Sequence, residues 1–142
     1  YVRLRAYARA HGIGAAFIAP SDVEVVAGSL RQPDVFVVPS DEHARVRAAR
    51  RREPFRRLLL GVEVLSPSSV RTDRVTKRDW HVRTGVEYWV VDGDARRIER
   101  NAPGDSRVWI EADRLVWHPD GASEPFVLDV PAYFDEALGP LL

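Results

Sequence analysis

Two carboxylates sit where their neighbours are mostly apolar, and with one lysine they are the residues that could do chemistry. "LLLGVEVLSPSS", residues 58–69, is apolar enough for a buried strand, yet Glu63 stands in its middle. "PDVFVVP", residues 33–39, opens with Asp34. A carboxylate in such a setting costs several kcal/mol unless something pairs with it. Two carboxylates on neighbouring strands, aimed at one point, repel unless a cation lies between them. Hard oxygen ligands of this kind suit Mg²⁺ or Mn²⁺. The third residue is Lys77, the one lysine among 21 basic residues, the other 20 being arginine. A compact ammonium group with a tunable pKa does work that a guanidinium does not. Each residue also has a plain structural explanation. Asp34 could satisfy a turn amide, Glu63 could pair with an arginine, and Asp73 with Lys77, four apart, could be an ordinary helix pair. His81 continues that helix face. The four histidines, His11, His43, His81 and His118, lack zinc spacing, and there is no cysteine to assist them.

The elements that must position these groups follow from periodicity and punctuation. "YVRLRAYARAHG" reads as a helix ended by Gly12. "AAFIAP" and "DVEVVAG" read as two short strands, or one strand kinked at Pro20 and Ser21. "PDVFVVP" is a strand bracketed by prolines, and residues 41–56 are helical or irregular. Residues 58–65 form a strand whose near-continuous apolar character predicts burial on both faces. After "SPSS" a helix runs over about 70–84, with Ser69 or Thr72 as N-cap and Gly85 as stop. "VEYWVVD" is a second buried strand, and this strand–helix–strand unit predicts a parallel pair. Beyond Asp92 come short alternating strands, "RRIERN", "SRVWIE", "RLVWHP" and "PFVLDV", separated by the turns "NAPGD" and "HPDG". "PAYFDEAL" closes the chain as a helix with Pro131 in its first turn. The order predicts a single α/β (α+β) domain over residues 1–142. Its mixed central sheet is flanked by helices, with a core over 1–92, a β-rich extension over 93–130 and a terminal helix over 131–138. Trp89 belongs to the core, and Trp109 and Trp117 are expected to pair across the tail strands.

Composition bounds the function classes. At 142 residues, 45% hydrophobic and 30% charged, the chain is long enough for a real core. No apolar run approaches the roughly 20 residues needed to span a bilayer, so no membrane partner is expected, and no signal-peptide pattern opens the chain. The absence of cysteine fits a reducing cytoplasm. The start at Tyr1 and the lack of any methionine read as a piece of a longer protein. The formal charge is zero, so there is no global pull toward nucleic acid. The charge is uneven, however: "RVRAARRREPFRR", residues 45–57, holds seven arginines against Glu53. It is either a solvated helix face or a phosphate-contacting patch.

Taken together, "QPDVFVV", "VEVLSPSS", Asp73, Lys77 and "GVEYWVVD" resemble the bacterial Uma family (Uma-two). This former domain of unknown function is a group of restriction endonucleases within the PD-(D/E)XK nuclease superfamily. The resemblance covers residues 1–92 well and the β-rich tail loosely. It implies a restriction-endonuclease-like core, with Asp34 as the acid of the "PD" element and Glu63 as the acid of the second element. It further implies that the Val64 carbonyl completes a metal shell, and that Asp73 and Gln32 are supporting residues. The superfamily's usual lysine lies two residues after the second acid, where this chain has Leu65. Lys77 matches the family's own lysine, moved from strand to helix. His81 stands where the family has tyrosine, and a family segment that precedes Tyr1 is missing, so the chain reads as N-terminally truncated.

The resulting expectation is an endonuclease that hydrolyses phosphodiester bonds of DNA with Mg²⁺ (or Mn²⁺), leaving a 3′-hydroxyl and a 5′-phosphate as the superfamily implies. Asp34, Glu63 and Lys77 would be catalytic, with Arg50, Arg51, Arg52, Arg56 and Arg57 on the nucleic-acid backbone. A nuclease working on a duplex often acts as a two-fold homodimer. The alternative is an inactive nuclease-like module that binds nucleic acid or protein.

Overall fold

The computed structural model describes residues 1–66 and 71–142, with the side chains of residues 71–74 outside that description. A six-stranded mixed sheet forms the centre. Its strands are β1 (Gly14–Ile18), β4 (Val35–Pro39), β5 (Leu60–Val64), β6 (Glu87–Asp92), β7 (Arg97–Asn101) and β8 (Trp109–Glu111), in the spatial order β1-β4-β5-β6-β7-β8. Only β5 and β6 run parallel within it, joined through α3 (Arg71–Thr84) as the strand–helix–strand reading predicts. Two small ribbons complete the β-structure: β2 (Val23–Val26) with β3 (Ser29–Arg31), and β9 (Arg114–Trp117) with β10 (Phe126–Asp129).

Side-chain alternation divides the sheet into two faces. One face carries Ala16, Val37, Leu60, Val62, Trp89, Val91 and Ile98. It is covered by Leu4, Tyr7 and Ala8 of α1 (Val2–Ala10), by the β9–β10 ribbon, and by Phe134 of α4 (Val130–Leu138). The opposite face carries Phe36 and Val38, which pack with Val23, Phe55, Leu58 and Val86, against Val46 of α2 (Ser40–Ala48) and Trp80 of α3. Asp34 shares parity with Phe36, and Glu63 shares parity with Gly61, so both acids belong to the side that α3 covers.

The structure refines several expectations. "AAFIAP" and "DVEVVAG" are two strands, and the second leaves the main sheet to form a hairpin with β3, a three-residue strand too short for alternation to reveal. Its turn is closed at Gly28, whose φ of +78° suits glycine. The β5 strand is buried at Leu60, Gly61 and Val62 but half-buried at Glu63 and exposed at Val64, so burial on both faces holds only for its first half. Strands β7 and β8 extend the central sheet, and β9–β10 lies over α1. Trp109 and Trp117 do not pair. Trp117 faces Phe126 across β9–β10 and stands edge-on to Trp89 at 5.7 Å. Trp109 lies opposite Arg100 at the sheet edge, beneath the Arg107 guanidinium. The two tryptophans therefore occupy different sheets. Of the proposed N-caps, Ser69 lies outside the described residues, and Thr72 is no cap because it lies within α3, which includes Arg71 before it.

Candidate active site

The meeting point of Asp34 and Glu63 follows from strand register. On the antiparallel β4–β5 pair, Val35 faces Val62 and Phe36 faces Gly61. Continuing that register by one residue sets Asp34, just before β4, opposite Glu63. Directly opposed residues of an antiparallel pair have Cβ atoms about 5 Å apart. Asp34 is held at both ends: its carbonyl accepts the Ala19 N–H at 3.0 Å, and its Oδ2 accepts the Val64 N–H at 2.7 Å. Val64 thus contributes its amide to the site, a role that spacing alone did not suggest.

Helix α3 brings the lysine. Lys77 Nζ lies 3.3 Å from Glu63 Oε2, with the Glu63 side chain 14% exposed and that of Lys77 35%. Burial pushes the Glu63 carboxyl above the usual carboxylate range, and the neighbouring Asp34 pushes it further, while Lys77 pulls the other way. An acid raised by its own surroundings is a group short of positive charge.

The docking of α3 has a local cause. His81, one turn beyond Lys77, is 2% exposed and stacks on Tyr88 with ring centroids 4.1 Å apart. Its Cε1 lies 2.6 Å from where a Cβ on residue 61 would stand, so only glycine at that position lets the helix sit this close to β5. His81 therefore acts as packing. Burial, with Arg31 and Lys77 nearby, lowers its pKa to about 3 and keeps the imidazole neutral.

Other candidates fall elsewhere. Gln32 is exposed and donates to Asp22 Oδ1 at 2.7 Å, so its side chain is committed to Asp22. The side chain of Asp73 lies outside the described residues. Within the arginine-rich segment, Arg45 is clamped by Glu42, Glu53 and the Pro54 carbonyl, and Arg57 pairs with Asp41. Arg52 reaches the Pro20 carbonyl at 3.4 Å. Arg50, Arg51, Arg52, Arg56 and Arg57 are all exposed. The segment also has a structural task, because Phe55 is buried and bridges to Val23. The buried acids Glu42, Glu87 and Glu99 escaped notice in the sequence; each is neutralised by arginine, as in Glu87–Arg100 and Glu99–Arg78.

No group of three or more His, Cys, Asp or Glu side chains converges on a metal position among the described residues. The oxygens available are the Asp34 and Glu63 carboxylates and the backbone. That set is compatible with Mg²⁺, which commonly takes one or two carboxylates and fills its remaining positions with water and substrate phosphate. No helix among the described residues is long and apolar enough to cross a membrane.

Comparison with known proteins bears on the fold and the family. The crystal structure of a putative nuclease belonging to DUF820, from Anabaena variabilis ATCC 29413, superposes with a TM-score of 0.75. The match covers 96% of this chain and 76% of that one at 19% identity, which establishes a shared fold. No curated protein matches. The profile of the Uma2 family, described as "Putative restriction endonuclease", matches residues 1–122, and the chain belongs to that family.

Proposed function

We propose that this protein is a Mg²⁺-dependent (or Mn²⁺-dependent) endonuclease that hydrolyses phosphodiester bonds of DNA. One observation carries the reading: two carboxylates from adjacent antiparallel strands oppose each other on the face covered by α3, and the chain's one lysine reaches Glu63 from that helix.

Asp34, Glu63 and the Val64 carbonyl would hold the metal. When bound, the ion would offset charge on the phosphoryl oxygens and acidify a water molecule. The Val64 amide fixes the Asp34 carboxylate by donating to its Oδ2. Lys77 holds a proton at Nζ, orients an attacking water and donates to a phosphoryl oxygen as charge accumulates there. Glu63 steadies that ammonium group between turnovers. Arg50, Arg51, Arg52 and Arg56 would meet the DNA backbone, which positions a duplex without reading its sequence. Arg57, already paired with Asp41, would be a weaker contributor. A cytoplasmic protein working as a homodimer on duplex DNA fits this reading.

The test is cleavage of plasmid DNA in Mg²⁺ by Asp34→Ala, Glu63→Ala and Lys77→Ala variants. Each is expected to lose activity by two orders of magnitude or more, as removal of a transition-state contact commonly does. Undiminished cleavage by all three would overturn the assignment. The 3.3 Å ion pair between Lys77 and Glu63 favours a second reading, in which the site is self-neutralised and the fold only binds nucleic acid or protein. Calorimetric titration with Mg²⁺ or Mn²⁺ separates the two, since a folded protein that takes up neither ion at millimolar concentration is the binding module.

A further inference from the structure

Arginines in this molecule follow a rule that one of them breaks. Among the described residues, the half-buried arginines are Arg31, Arg45, Arg78, Arg96, Arg97 and Arg100. Five have a carboxylate within ion-pair distance: Arg45 has Glu42 and Glu53, Arg78 has Glu99, Arg96 has Asp135, Arg97 has Glu99 and Asp92, and Arg100 has Glu87. Arg31, at the end of β3, has none. Its guanidinium lies 5.8 Å from the centre of the Trp80 ring, and neither its Nε nor Trp80 Nε1 has a hydrogen-bond acceptor although both are shielded from solvent. A partly desolvated guanidinium without an anion is costly to keep, and a phosphate, like a carboxylate, matches its planar fork.

The surroundings form a receptive shape. Arg31 and Trp80 line a cleft of about 360 Å³ between the β2–β3 hairpin and α3, together with Val26, Asp79 and Arg83. Arg83 is exposed and has no acid partner among the described residues. Asp79 is the one acid in the lining, set against two arginines. Both walls belong to segments that also carry candidate site residues. Arg31 precedes Asp34 by three residues, and Trp80 follows Lys77 by three on α3. From Lys77 to Arg83 the helix rises about 9 Å, the span of about two to three nucleotides at the rise of a DNA strand.

We infer that this cleft is a subsite for the phosphates of a DNA strand flanking the scissile bond, with Arg31 and Arg83 as the contacts. The inference rests on the nuclease reading and extends it by naming where the substrate strand lies. Arg31, pre-set against Trp80, is the half-buried anchor, and Arg83 closes the open side. The cation–π contact holds the guanidinium in place before DNA arrives, so little side-chain entropy is lost on binding. The contacts are electrostatic and read no base.

The experiment is fluorescence anisotropy of a fluorescein-labelled DNA duplex titrated with protein in EDTA, repeated over a series of salt concentrations. Substituting Arg31→Ala or Arg83→Ala is expected to weaken binding about ten-fold each. Each is also expected to shrink the slope of log affinity against log salt by about one. Arg31→Lys should keep the slope while recovering only part of the affinity. Arg114→Ala, on the remote β9–β10 ribbon, should bind as the unaltered protein does. The slope counts phosphate contacts and is not moved by a merely structural role, and Arg83 is exposed, so its variant folds whatever becomes of Arg31. Duplex bound by the unaltered protein with the same affinity and slope in both alanine variants would overturn the subsite alone. Failure of the unaltered protein to bind DNA would overturn the nuclease reading and the subsite with it.

Discussion

Glu63 is the residue on which the electrostatics turn. Its carboxyl is raised by burial and by Asp34, so the folded chain binds that proton more tightly than the unfolded chain does. The sign follows: in the absence of metal, Glu63 costs stability that appears as pH rises from its ordinary value of 4.5 through its raised folded value. Glu63→Gln should therefore raise the melting temperature of the metal-free protein at neutral pH. Mg²⁺ should raise that of the unaltered chain and leave the variant unmoved, as thermal denaturation with and without EDTA would show. A structural ion pair with Lys77 as its whole purpose would give the opposite result, a lower melting temperature in the variant. His81 carries the reverse dependence. Its pKa falls from 6.5 to about 3 on folding, so the unfolded chain takes up the proton first. Stability is then lost as pH drops below 6.5, by about 1.4 kcal/mol per pH unit while the difference persists. In urea titrations between pH 7 and pH 4, His81→Leu should flatten that acid limb.

At the scale of elements, the site depends on how closely α3 lies on β5. Gly61 sets that distance, because the His81 ring occupies the space a methyl group would need. Gly61→Ala should lift the helix, cost about 1–3 kcal/mol, and reduce cleavage more than Mg²⁺ binding, since Lys77 moves while the two acids stay on their strands. Chemical denaturation, a cleavage assay and calorimetry on one variant would separate those effects. The far end of the chain offers a simpler case. Asp129 caps α4 by accepting the Ala132 N–H at 2.9 Å, with Pro131 in the first turn. Asp129→Ala should cost about 1 kcal/mol in a urea titration and leave any nuclease activity unchanged.

For the molecule as a whole, the apolar face under α1 joins the two halves of the chain. Tyr7, Trp89, Trp117 and Phe126 form one aromatic group, with Tyr7 edge-on to Phe126 at 5.4 Å and Trp89 edge-on to Trp117 at 5.7 Å. The Tyr7 hydroxyl donates to the Glu124 carbonyl at 2.7 Å, tying α1 to the β9–β10 ribbon. Trp117→Ala should cost about 3–5 kcal/mol and release α1 and the ribbon together, seen as one cooperative loss of near-ultraviolet circular dichroism. The candidate site on one face of the sheet thus rests on a core packed against the other.

The sequence by itself determined most of the order of elements, though not β3 or the helical state of α2, together with the burial of β6, the helix carrying Lys77, and the placing of two acids among apolar neighbours. These are properties of short windows: alternation, helical spacing, glycine and proline punctuation, and a charge set among apolar neighbours. What lies between windows was decided only in three dimensions. Asp34 and Glu63 are 29 residues apart, and their opposition depends on a register that no local pattern states. The partners of Arg45 and Arg57, the amide given by Val64 to Asp34, and the separation of Trp109 from Trp117 depend on which segments the chain closure brings together. The isolation of Arg31 depends on the same closure. Local pattern follows from the steric and hydrogen-bonding preferences of a few consecutive residues, whereas charge pairing and close approach are set by the packing of all of them at once.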